Sequence, residues 1–176
     1  HSGVGSAGPF RGRKRSLYEG GIRMPFIVRW PAGKVPVGKV DDKNVISAVD
    51  LLPTICSIAS VELPKDLNSD GQDMSAAWRG QQVARDKPLM WEWRGQIMGD
   101  TINQSPMLAI RQGKWKLLMN PDQSRIELYD ITNDPMEVDN KADTHQDVVK
   151  TLSTKVLSWQ KTLPPGPISG GGKNDY

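Results

Sequence analysis

Pro106-Met107-Leu108-Ala109-Ile110-Arg111-Gln112-Gly113-Lys114-Trp115-Lys116-Leu117-Leu118-Met119 reads as two strands joined by a tight turn. Each arm is short and carries the apolar, β-branched and aromatic residues that suit a pleated surface. Gln112-Gly113 between them suits a hairpin. Moving outward, Leu89–Arg94 and Ile126–Asp130 have the same character, and Asn120-Pro121-Asp122 is a turn. Four strands with short connections predict an antiparallel meander. Asn133-Asp134-Pro135 then breaks the chain. From about Gln146 to Thr162, Val149, Leu152, Val156 and Trp159 recur at helical spacing. That helix should lay its apolar stripe on the meander, because a small sheet needs one face covered. Pro164-Pro165 ends it, and Gly170–Tyr176 reads as a flexible tail.

The first half is different. Residues 1–24 form a loop punctuated by Gly3, Gly5, Gly8, Gly12, Gly20 and Gly21. Pro25–Trp30 is a short apolar run broken only by Arg29, as expected of a strand buried on both faces of a larger α/β sheet. Residues 34–43 are polar loop. Ser47–Ala59 reads as a helix capped near Asp50, with Pro53 in its first turn, where no amide donor is needed. Leu51, Leu52, Ile55, Ile58 and Ala59 share one of its faces. Met74–Arg79 suggests one or two helical turns stopped at Gly80. The composition shifts near residues 80–88.

The 176 residues allow one domain, or a small domain with part of another. Seventeen glycines and thirteen prolines predict many turns, and six tryptophans supply large buried areas. The net charge of +3 says little about partners, because the excess is local: Arg11, Arg13, Lys14 and Arg15 cluster while acids spread through the second half. Cys56 is the single cysteine, so no internal disulfide can form. Its apolar neighbours read as those of a buried structural thiol. No apolar run is long enough to span a bilayer, and no signal peptide is visible.

Three segments together resemble the carboxy-terminal third of the type I sulfatases, in particular those of the arylsulfatase and N-acetylgalactosamine-6-sulfatase kind. One is Gly12-Arg13-Lys14-Arg15 with its continuation Tyr18-Glu19-Gly20-Gly21-Ile22-Arg23. Another is Asp50-Leu51-Leu52-Pro53-Thr54. The third pairs Gly113-Lys114-Trp115-Lys116-Leu117 with Leu128-Tyr129-Asp130, Asp134-Pro135, Glu137 and Asn140. The resemblance implies an alkaline-phosphatase-like α/β fold. In it, residues 1–85 would be the end of the large catalytic domain, 86–163 a small antiparallel sheet with a carboxy-terminal helix, and 164–176 a tail. It also implies a carboxy-terminal fragment, inactive on its own, of a hydrolase that cleaves sulfate esters of a carbohydrate or aryl substrate. Such enzymes use a formylglycine made from Cys or Ser in a C/S-x-P-x-R motif, and a calcium ion held by Asp and Asn. Cys56 is followed by Ser57-Ile58-Ala59 and does not fit that motif. The nucleophile, calcium ligands and catalytic histidines are therefore expected before His1, and no metal ligand is expected in this chain. By the same resemblance the location is periplasmic, secreted or lysosomal, and the other partner is the remainder of the catalytic domain.

Lys14 is the catalytic residue that carries over. Charge builds as the S–O bond of a sulfate ester breaks, and a fixed ammonium stabilises that transition state more than the ground state. The plainer alternative is a solvated basic loop. Arg11, Arg13 and Arg15 read as ion-pair partners or rim charges, with Arg13 also a candidate substrate contact. Glu19 and Arg23 would hold the loop from behind or form an ordinary ion pair, and Gly20-Gly21 answers a need for positive φ or close approach. Many relatives carry a histidine where Trp93 stands. Trp93 could instead stack on a sugar and Arg94 meet an anionic group, or both could be sheet core and surface charge. His145 has no second histidine at ligand spacing, and Asp70 and Asp73 near Gly71 fall short of a calcium loop. Two other functions stay open: a phosphohydrolase of the same superfamily, and a non-enzymatic module binding polyanions. The cations are too few and too local for a nucleic-acid groove.

Overall fold

The computed structural model describes residues 6–95 and 101–166. The glycines at 3 and 5 and the tail from residue 167 onward lie outside them. The chain makes two compact units, residues 1–23 with 90–176, and residues 24–89.

The first unit is organised by the meander. A single helical turn, α1 (Glu19–Ile22), precedes it in the chain. The strands are β1 (Leu89–Glu92), β2 (Leu108–Gln112), β3 (Trp115–Met119) and β4 (Glu127–Asp130), in the spatial order β1-β2-β3-β4. Gln112 faces Trp115 across the β2–β3 hairpin, leaving a two-residue turn in which Gly113 takes φ +59°. Ile110 faces Leu117, and Leu117 faces Leu128. Alternation sorts the sheet into two faces. Leu108, Ile110, Leu117, Met119 and Leu128 pack with Ala142 and with Val149, Leu152 and Val156 of the carboxy-terminal helix (Gln146–Gln160). Ala109, Leu118 and Tyr129 point the other way and pack with Leu17, Tyr18 and Ile131. The helix covers one face, as its spacing predicts; residues of the cationic loop cover the other.

The turn-forming residues quoted above hold the ends of the strands. Asp130 accepts from Thr132 N–H (3.2 Å) and Asn133 Nδ2 (3.0 Å) and pairs with Lys114 (3.0 Å). Asp134 accepts from the amides of Val138 and Asp139, each at 2.9 Å. Asn140 Oδ1 accepts from Leu128 N–H (2.9 Å) and Ala142 N–H (3.0 Å).

In the second unit, α2 (Leu51–Ala59) packs on α3 (Ser75–Trp78), and Gly80 follows α3 with φ +87°. Numbered in chain order, the carboxy-terminal helix of the first unit is α4. Asp50, expected to cap α2, precedes it, but its side chain bonds none of that helix's free amides. It is 1% exposed, and a buried carboxylate must be satisfied on all sides. Its oxygens accept from the amides of Ser47 (2.7 Å) and Gln72 (3.0 Å), and it pairs with Arg85. A 3-10 turn, Ala48–Asp50, opened by Ser47, runs into α2. Thr54 Oγ1 is buried and accepts from Met74 N–H at 2.9 Å.

Two expectations are corrected here, for Pro25–Trp30 and for Cys56. Pro25–Trp30 is not a strand: among the described residues no strand pairs with it, and Ile27 is 89% exposed. A strand forms only where neighbouring strands satisfy its backbone groups; here Trp30 O instead accepts from the nearby amides of Gly33 and Val35. The apolar face of α2 is turned outward at Leu52 and Ile55, while Pro53 and Thr54 are buried. Cys56 is half-buried rather than enclosed.

Candidate functional site

The loop from Ala7 to Arg23 folds back on itself. Gly20 N–H donates to Arg11 O (2.7 Å) and closes its base; Ser16 N–H donates to Arg13 O (2.9 Å) and makes the turn at its tip. Gly12 (φ +83°) and Arg15 (φ +77°) take left-handed conformations. The double glycine serves close approach, not positive φ. A Cβ on Gly20 would stand 2.5 Å from Gly12 O, and one on Gly21 2.0 Å from Ser16 O.

Two buried polar networks tie this loop to the sheet. At one foot, the Arg11 guanidinium lies 3.9 Å over the Tyr18 ring and donates to Tyr129 Oη at 2.9 Å. Tyr18 and Tyr129 each donate to Glu127 Oε2, at 2.8 and 2.9 Å. Burial, reinforced by the Glu127 charge, pushes both phenols far above the ordinary tyrosine range, so both remain donors.

At the other foot stands Lys116, fully buried in β3 on the loop side of the sheet. Its Nζ donates to Glu19 Oε1 (2.9 Å) and lies 2.8 Å from Glu137 Oε1, an ion-pair contact that is not aligned as a hydrogen bond. Glu137 Oε2 accepts from the Glu19 amide at 2.7 Å. Arg23 Nη2 donates to Glu19 Oε2 at 2.8 Å and lies over the Phe10 ring. Burial opposes the charge on Glu19, but Lys116 and Arg23 overcome it and hold its carboxyl below the usual range. On Glu137 burial prevails, helped by the charge of Glu19, and the carboxyl is pushed up.

Above this base, Arg13 and Lys14 are exposed and Arg15 is half-exposed. Among the described residues, none of the three side chains has a hydrogen-bonding or ionic partner. The contrast is local: Arg11 and Arg23 on the same loop are both engaged. What results is a cationic tip on a buried, hydrogen-bonded base.

Trp91 and Trp93 are half-buried and pack against the cluster that contains Leu17 and Tyr18. Arg94 is engaged elsewhere, by Glu92 Oε2 (2.5 Å) and Pro164 O (3.0 Å). A shallow depression there is lined by Glu92, Met107, Gln160 and Leu163. The His145 ring packs against Trp115 at a tilt of 54°, with ring centroids 4.7 Å apart. The loop thus gathers Arg13, Lys14, Glu19 and Arg23, while Arg94 sits in a network of its own. Sequence reasoning gave no role to Lys116, Glu127 or Tyr129. A lysine inside the apolar run Trp115–Met119 was the available signal, since such a cation must find buried acids.

The family described as N-sulphoglucosamine sulphohydrolase, C-terminal, matches residues 8–162. This chain belongs to that sulfatase family. It is 33% identical over 160 residues to an N-acetylgalactosamine-6-O-sulfatase of Bacteroides thetaiotaomicron, covering 83% of this chain and 29% of that protein. It is 44% identical over 70 residues to the steryl-sulfatase of Rattus norvegicus, covering 40% of this chain and 12% of that one. A solved structure from work on glycosaminoglycan metabolism by Bacteroides thetaiotaomicron superposes with a TM-score of 0.66 at 29% identity, covering 88% of this chain and 32% of its own. The chain therefore spans about a third or less of the length of these relatives, and its place in the alkaline-phosphatase-like sulfatase fold is the carboxy-terminal part.

Proposed function

We propose that this chain is the sulfate-binding, carboxy-terminal part of an enzyme that hydrolyses sulfate esters, with Lys14 as its anion-stabilising residue. The observation that carries the reading is the unpartnered ammonium of Lys14 on a loop whose base is buried and bonded on both sides. A charge held this way stabilises negative charge without reorganising as it develops. As the S–O bond lengthens, Lys14 would donate to a sulfate oxygen, and Arg13 beside it would contact a neighbouring anionic or hydroxyl group of the substrate. Trp93 and Arg94 are proposed substrate contacts of lower rank, since Arg94 would first have to release Glu92. In this reading residues 1–85 complete the large catalytic domain and 86–163 form the small one. The long match to a sulfatase named for an amino-sugar ester favours a sulfated carbohydrate as substrate.

Family membership implies calcium and a formylglycine. The residues described here do not fit either group. Among the described residues no cluster of three or more His, Cys, Asp or Glu side chains is placed to hold a metal, and Cys56 lacks the C-x-P-x-R context. No step is therefore assigned to those groups in this chain. No helix among the described residues is long and apolar enough to cross a membrane.

The test uses the full-length protein. Lys14→Ala should lower turnover of a 6-sulfated N-acetylgalactosamine, or of an aryl sulfate, by roughly a hundredfold, the loss typical of a positioned charge. An unchanged rate would remove Lys14 from the site. Faster turnover of the corresponding phosphate ester would move the enzyme to phosphoester hydrolysis.

A further inference from the structure

The proposed function uses the tip of the loop; it leaves unexplained why a fully buried lysine stands beneath it. Burying an ammonium between two carboxylates is costly, and well-packed apolar residues at such places often give equal or better stability. Stability alone therefore does not account for Lys116. Its position does suggest a role. Lys116 lies in β3 directly opposite Tyr129 of β4, so both networks that hold the loop start from one cross-strand pair. Tyr129 reaches Arg11, three residues before Lys14. Lys116 reaches Glu19, five residues after it. Glu137 joins the two ends: its carboxylate takes the Glu19 amide, and its backbone carbonyl takes Arg11 Nη1 at 3.3 Å. The anchors at Arg11 and Glu19, one on each side of Lys14, thereby lead to one cross-strand pair of the sheet.

We propose that Lys116 is a positioning residue for Lys14: by bridging Glu19 to Glu137 it fixes the loop on the sheet, so that the small carboxy-terminal sheet aims the sulfate-binding ammonium. The proposal rests on the reading of Lys14 given above. Its physical basis is that an error of about 1 Å in the placement of a charged group costs on the order of a hundredfold in rate. A flexible lysine side chain is accurate only if its backbone is. An apolar residue at position 116 would fill the space but would leave Glu19 Oε1 without its partner, held only through Arg23 on the other oxygen, and would loosen the turn Glu19–Ile22.

The experiment is a double-mutant cycle in the full-length protein, read by kcat and KM on a sulfate ester and by amide hydrogen exchange of residues 16–21. Lys116→Met should lower kcat by about tenfold or more with little change in KM, and should speed exchange across residues 16–21. In the Lys14→Ala background the same substitution should have no further effect on kcat, because the group it positions is gone. Glu137→Gln keeps an acceptor for the Glu19 amide while removing a charge. It should act in the same direction more weakly, and it carries the test if Lys116→Met does not fold. Losses from Lys14→Ala and Lys116→Met that multiply would overturn the proposal, as would unchanged exchange at residues 16–21. If Lys14→Ala leaves the rate intact, the assigned function fails; the exchange measurement still decides separately whether Lys116 braces the loop.

Discussion

Glu19 shows how much one residue can carry in this molecule. The residue is 3% exposed; its carboxylate takes hydrogen bonds from Lys116 and Arg23, while its amide is held by Glu137. Because its folded-state pKa lies below the ordinary glutamate value, it contributes stability that is present above about pH 4.5 and lost as the pH falls through the folded value. Removing one member of a buried pair typically costs about 3–5 kcal/mol. Glu19→Gln should therefore be most destabilising near pH 7, and its deficit should shrink as the pH falls below the ordinary glutamate value toward the lower folded one. Urea-unfolding midpoints of the native and variant proteins at pH 7 and pH 3.5 would show this; a deficit independent of pH would mean that the charge of Glu19 is not what holds the turn. The residue itself could be read from the sequence as an ion-pair partner of Arg23. Its bond to Lys116, ninety-seven positions away, could not, because nothing in a linear pattern indicates which buried cation meets which acid.

At the scale of elements, two helices with similar patterns behave differently. The stripe of α4 (Val149, Leu152, Val156) is buried against the sheet, as its spacing implies. The stripe of α2 is equally periodic, yet Leu52 is 52% exposed and Leu152 only 4%. An amphipathic pattern shows that a helix has an apolar face and says nothing about what covers it. The strands were legible for the opposite reason: hairpin and turn residues fix their neighbours locally, so order and pairing follow from short connections. Pro25–Trp30 had the composition of a buried strand but depends on distant neighbours. In this chain, Leu152→Ala should cost about 2–5 kcal/mol, the range for emptying a packed site. Leu52→Ala should cost under about 1 kcal/mol, since half of its side chain already meets water. Thermal unfolding of the two variants decides between them. Equal losses would show that the α2 face is packed in solution.

For the molecule as a whole, the distribution of buried apolar groups predicts where it opens. In the unit of residues 1–23 and 90–176, two clusters occupy the two faces of one sheet, and every strand of the β2–β3–β4 ladder has side chains in both. In residues 24–89 the buried apolar side chains are few, while Met24, Ile27, Val37, Val40 and Val61 are all more than half exposed. Local opening costs least where apolar contacts are sparse and backbone hydrogen bonds meet solvent. In native-state hydrogen exchange on this chain, amides of β2 and β3 should exchange only through global unfolding. Their rates should follow the full dependence on denaturant. Amides of residues 24–47 should exchange through small openings nearly independent of denaturant. Tyr18 and Glu19 belong to the loop yet should follow β3, because their partners Glu127 and Lys116 lie in the ladder. Exchange of residues 18–21 at the rate of residues 24–47 would mean that the loop is a surface appendage and not part of the sheet's cooperative unit. The cationic tip would then lose the rigid support on which its chemistry depends.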